Sequence, residues 1–109
     1  MSPKPYVEGY TIDNIREDYK KSTKFEKFKV GERAIYIPNG FGWKYFPIEK
    51  ADSIRKVKRT VSSDNGCAPY SIELPAIMIK YGEEILVLDM NNEKKAEELL
   101  SRLQEGKGN

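Results

Sequence analysis

A chain of 109 residues is long enough for one hydrophobic core, and a third of its residues are charged, with a net charge of only +2. That balance belongs to an ordinary globular domain rather than to a dedicated nucleic-acid binder. With no histidine and one cysteine, Cys67, the chain can form no intrachain disulfide, cannot assemble the usual nitrogen and sulfur metal sites, and lacks the Ser/His or Cys/His pairings of most hydrolytic enzymes.

Pro3 and Pro5 fall where no apolar period is visible, which predicts a flexible tail over residues 1–10 ahead of a single domain over 11–109. From Thr11, Ile12, Ile15 and Tyr19 recur at helical spacing, with Asp13 early and Lys20 and Lys21 late to complement the helix dipole. A short packing helix follows from that pattern. "KFEKFKV" and "ERAIYI" read as strands that turn at Gly31.

"YIPNGFGWKYFPI", Tyr36 to Ile48, reads as a hairpin. Pro38 and Asn39 suit the central positions of a type I turn, and Gly40 suits the left-handed residue of a bulge. "DSIRKVKRTV" alternates without a clean apolar face, so either a bulge shifts its register or it is an exposed strand whose cations discourage edge pairing. "SSDNGCAP" is the main loop.

"AIMIKYGEEILVLD" predicts a two-residue hairpin at Gly82 and Glu83, with glycine at the first central position favouring a type II′ turn. "NNEKKAEELLSRLQEGKGN" predicts an amphipathic helix. Asn91 or Asn92 caps it, Ala96, Leu99, Leu100 and Leu103 form its stripe, Glu98 and Arg102 form an i,i+4 pair, and Gly106 stops it. The sum is a mainly β fold with some α+β content, in which the last helix covers the open end of a barrel or sandwich.

This order of elements, in particular "KVGERAIYIPNGFGWKYFPIEKADSIRKV" followed by "AIMIKYGEEILVLDMNNEKKAEELLSRL", resembles bacterial pleckstrin-homology-like (PH-like) domains. The resemblance runs from about Phe25 to Leu103 and is nearer to small uncharacterised members than to eukaryotic signalling modules. It implies a bent antiparallel β-barrel of six to seven strands capped by a C-terminal helix; an OB- or SH3-like barrel is the alternative to that reading. It also implies a role in binding lipids, peptides or proteins rather than in catalysis.

Two groups of side chains stand out as candidate contacts for a partner or an anion. Phe41, Trp43 and Lys44 belong to the hairpin, and Arg55, Lys56, Lys58 and Arg59 to the basic strand. Adjacent Glu83 and Glu84 fall at a turn with no acid/base partner, so the expectation is no enzyme and no cofactor. The leading expectation is an adaptor that recruits a protein or peptide, by β-strand addition at an open edge or by self-association between opposed charge patches. Peripheral binding to anionic lipid headgroups through the basic strand is the alternative; nucleic acid is disfavoured because only "WKYF" interleaves a cation with aromatics. No apolar run has signal-peptide or membrane-spanning length, which sets a cytoplasmic location as the default expectation.

Overall fold

The computed structural model describes residues 3–63 and 70–106. Of the loop expected over residues 62–69, Ser62 and Ser63 belong to a strand and the remainder, with Cys67, lies outside the described residues. In chain order the elements are strand β1 (Lys4–Pro5), helix α1 (Ile15–Lys20), strands β2 (Thr23–Phe25), β3 (Phe28–Val30), β4 (Ala34–Asn39) and β5 (Gly42–Pro47), a 3-10 turn at Ile48–Lys50, strands β6 (Ser53–Ser63), β7 (Tyr70–Tyr81) and β8 (Glu84–Asp89), and helix α2 (Glu93–Gly106). They build a five-stranded sheet in the order β1-β5-β4-β3-β2 and a three-stranded sheet in the order β6-β7-β8. The fold is mainly β, as the composition of the strands predicts. Among the described residues it consists of two sheets with free edges instead of a closed barrel.

Every adjacent pair is antiparallel except β1 and β5, which run parallel through Lys4 opposite Lys44 and Pro5 opposite Tyr45. The proline-rich start, expected as a tail, thus supplies an edge strand, held further by the Tyr6 amide donating to the Tyr45 carbonyl at 2.8 Å. Val7 and Tyr10 continue from it onto the core.

Alternation along β5 divides the molecule into layers. Phe46, with Val30 and Ile35, faces a core completed by Ile77, Ile79, Leu86 and Leu88 of the second sheet and by Ala96, Leu99 and Leu103 of α2. Trp43 and Tyr45 point to the other side, where Ile12, Ile15 and Tyr19 lie over Ala34 and Tyr36. The amphipathic stripe expected of α2 is therefore the lid of the main core, and the short α1 covers the opposite face of the first sheet. α2 starts as expected at an asparagine cap, the Lys95 amide donating to Asn92 Oδ1 at 3.0 Å. The acid–base pair found on it joins Lys95 to Glu98 at 3.7 Å in place of the expected Glu98–Arg102 contact.

A second capping device spans 65 residues of sequence. The Glu26 carboxylate accepts the amides of Asn91 and Asn92 at 2.9 Å each, and Glu26 itself holds a left-handed φ of 56° in the two-residue turn between β2 and β3. That conformation is unfavourable for a residue with a Cβ, and the bonds to the start of α2 offset it.

The hairpin of β7 and β8 closes as predicted, Tyr81 pairing with Glu84 around Gly82 and Glu83. The hairpin of β4 and β5 differs from expectation. Pairing continues through Pro38 opposite Trp43 and Asn39 opposite Gly42, so the turn residues are Gly40 and Phe41. Gly40 takes a φ of +62°, and Phe41 has no positive φ, a combination that matches the first-glycine turn of two-residue hairpins. β6 pairs with β7 in unbroken register from Ser53–Lys80 to Ser63–Tyr70, which decides for an exposed edge strand and against a bulge.

Candidate functional site

Moving the turn to Gly40–Phe41 changes what the hairpin presents. Phe41 occupies its apex and is entirely exposed, at 108% of its reference area, whereas nearly all other large apolar side chains of the hairpin find cover. Trp43 packs with the α1 layer, its ring 6.0 Å from that of Tyr19. The Lys29 ammonium sits 4.8 Å from the Tyr19 ring centre and 4.9 Å from that of Trp43, and donates to the Tyr19 hydroxyl at 3.3 Å. This cation, close to both rings, helps to fix the indole, which stays partly exposed.

Lys44 lies beside Ile37 on one strand and Lys4 on the other, so two lysines stand directly opposite each other across the parallel pair. Beyond Lys4, the outer edge of β5 at Gly42 and Trp43 has no partner strand among the described residues. The result is an open depression of about 460 Å³ lined by Pro3, Lys4, Asn39, Phe41, Trp43 and Lys44. Its volume falls in the range of small-ligand and side-chain pockets, and its walls combine aromatic surface with two ammonium groups. Among the described residues neither lysine has a carboxylate within ion-pair distance.

The basic strand is arranged differently. Lys56 contacts both Glu93 and Glu97 at the start of α2, the latter at 3.1 Å. Those hydrogen bonds, Glu93 foremost, push the lysine above its ordinary pKa range. Arg59 binds the Asp89 carboxylate through a guanidinium nitrogen at 2.9 and 3.0 Å. Lys58 reaches Glu73 at 3.9 Å, and Arg55 points a nitrogen at the Met78 sulfur at 3.7 Å. Strand alternation sends Lys56 and Lys58 to one face of the sheet and Arg55 and Arg59 to the other. The four cations that are dense in sequence therefore do not converge, and most of their charge meets carboxylates of the same chain.

The seven residues singled out in sequence thus divide into two separate surfaces on different sheets: Phe41, Trp43 and Lys44 at the tip of the first, Arg55, Lys56, Lys58 and Arg59 along the edge of the second. Sequence reasoning missed Pro3 and Lys4, because a two-residue parallel pairing leaves no periodic signal. The rim of the depression was visible only as an aromatic cluster.

The chain matches no family model, no curated protein and no solved structure. No described helix is long and apolar enough to cross a membrane.

Proposed function

We propose that this chain is a non-catalytic binding module of PH-like type that recruits a protein or peptide through the tip of the β4–β5 hairpin. The run of antiparallel hairpins followed by a C-terminal helix over the core supports the PH-like reading of the architecture. The observation that carries the functional reading is Phe41. A phenylalanine ring placed wholly in water at the apex of a well-paired hairpin forgoes roughly 1.5–3 kcal/mol of burial, and contact with a partner recovers it. Aromatic anchors beside a pocket are the usual centre of protein interfaces.

Binding of anionic lipid through β6 has weaker support, since Lys56 and Arg59 are engaged with Glu93, Glu97 and Asp89. Vesicles containing a fifth or more of anionic lipid should therefore sediment little of the protein, with no difference for a Lys56→Glu/Lys58→Glu variant; salt-sensitive binding lost in that variant would restore the lipid reading.

For the protein reading, the chain carrying an affinity tag should capture a stoichiometric partner, or a second copy of itself, that Phe41→Ser loses. Because the side chain touches only solvent, the substitution should leave stability within about 0.5 kcal/mol. Identical captured sets from the two proteins would sink the proposal.

A further inference from the structure

We infer that the depression beside Phe41 takes a peptide segment in which an acidic residue neighbours an aromatic one, the carboxylate lying between Lys4 and Lys44 and the ring against Phe41 and Trp43. This rests on the recruitment reading above and specifies its ligand. Like charges set directly opposite each other across paired strands are mutually destabilising. β6 shows how this chain settles its cations elsewhere, with carboxylates of its own. At Lys4 and Lys44 the described residues provide none, although both lysines line one concavity, and Lys44 is half-buried.

An anion at that point relieves the repulsion. We assign a carboxylate rather than a phosphate because no arginine fork lines the depression and its two ammonium groups stand beside aromatic surface, which suits an acidic residue next to a ring. The apolar half of the ligand follows from the other wall, where the exposed Phe41 and the partly exposed Trp43 line the depression and offer rings for stacking. Among the described residues the edge of β5 at Gly42 and Trp43 has no partner strand, which adds room for an extended main chain.

Trp43 is the only tryptophan in the sequence and lines the depression, so its fluorescence reports occupancy without a label. The full chain would be titrated with three capped tetrapeptides: Asp-Phe-Asp-Phe, Lys-Phe-Lys-Phe and Asp-Gly-Asp-Gly. Saturable quenching or a spectral shift is expected with the first alone, weakening as sodium chloride rises from 20 to about 300 mM as charge screening requires. Lys4→Ala/Lys44→Ala should weaken it by up to about tenfold, the combined effect of two partly exposed ion pairs.

Equal binding of the lysine peptide would overturn the charge assignment, equal binding of the glycine peptide would overturn the aromatic one, and no saturable change with any of the three would overturn the site. The double lysine variant should retain wild-type melting behaviour. If it does not, Lys44→Ala alone and the salt dependence of the wild type decide the matter. A Phe41-dependent protein partner together with silent tetrapeptides would leave the recruitment reading standing and remove only this ligand assignment.

Discussion

Replacing Asp18 by alanine is expected to lower folding stability by about 3–4 kcal/mol, a large share of the 5–15 kcal/mol typical of a domain. The carboxylate is buried and holds three donors: the amides of Glu32 and Arg33 at 2.9 and 3.0 Å on one oxygen, and the Tyr36 hydroxyl at 2.6 Å on the other. It thereby ties α1 to the turn between β3 and β4. The turn is built to receive it, for a Cβ added at Gly31 would collide with Asp18 Oδ2 and lie 2.8 Å from the Asp18 carbonyl oxygen. Alanine at position 18 removes the acceptor and strands the buried Tyr36 hydroxyl, so the loss exceeds that of one ordinary hydrogen bond. Chemical denaturation should show a lower midpoint at unchanged slope. A loss under about 1 kcal/mol, the net worth of a single neutral hydrogen bond, would mean that the latch is not a structural element.

The same latch predicts a pH dependence. Burial first, and then the hydrogen bond to Asp18, push the Tyr36 phenol far above its ordinary range. Below about pH 10, the ordinary tyrosine value, folded and unfolded chains both keep this proton and the stabilisation is complete. As pH rises beyond it the unfolded chain releases the proton and the folded chain retains it, so stability falls by up to about 1.4 kcal/mol per pH unit on this account alone. Tyr36→Phe should be less stable at neutral pH and should lose less between pH 10 and 11 than the wild type. Parallel alkaline limbs for the two proteins would contradict the assignment.

Phe46→Ala is the second large effect, expected at about 3–5 kcal/mol for a fully buried phenylalanine that leaves a cavity. Its ring lies 4.9 Å from that of Tyr81 on β7 and 6.1 Å from that of Tyr10, and Tyr10 and Tyr81 are 6.2 Å apart. The three rings join the N-terminal segment, the first sheet and the second. Removing the central one loosens both sheet contacts and the strand from which Trp43 and Lys44 project. Phe46→Leu, which keeps most of the volume, should lose about 1–1.5 kcal/mol. Equal losses for the two substitutions would show that ring packing is not what joins the sheets.

What was legible in the sequence was what neighbours along the chain decide. Gly82 and Glu83 set a two-residue turn between alternating apolar runs, and Ala96, Leu99 and Leu103 repeat at helical spacing, so the β7–β8 hairpin and α2 could be read directly. Sheet closure is decided by hydrogen bonds between remote edges, which no periodicity encodes; hence the mainly β class was accessible and the choice between a closed barrel and two separate sheets was not. Asp18 carries no signal in the sequence, because its partners lie 14 to 18 residues away. At the β4–β5 turn the expected centre, Pro38 and Asn39, lies two residues short of the observed one, whereas the left-handed conformation expected of Gly40 is found. A proline can sit in the strand opposite Trp43, and Gly40 alone supplies the left-handed residue.

The candidate contacts show the same division between local and remote information. Arg55, Lys56, Lys58 and Arg59 are conspicuous as a run, yet their counter-charges come from Glu73, Asp89, Glu93 and Glu97, 15 to 41 residues on. Lys4 is inconspicuous, and its importance arises only from its register opposite Lys44. Charge density along a strand was therefore a poor guide to free charge on the surface.

Site-specific photocross-linking in cells expressing the chain tests the central claim most directly. A benzophenone amino acid in place of Phe41 or of Arg55 samples the hairpin tip and the β6 edge without disturbing the core, since both positions are exposed. The account predicts a discrete protein adduct from position 41 and none from position 55. An adduct from position 55 with none from position 41 would place the partner on the basic strand and contradict it.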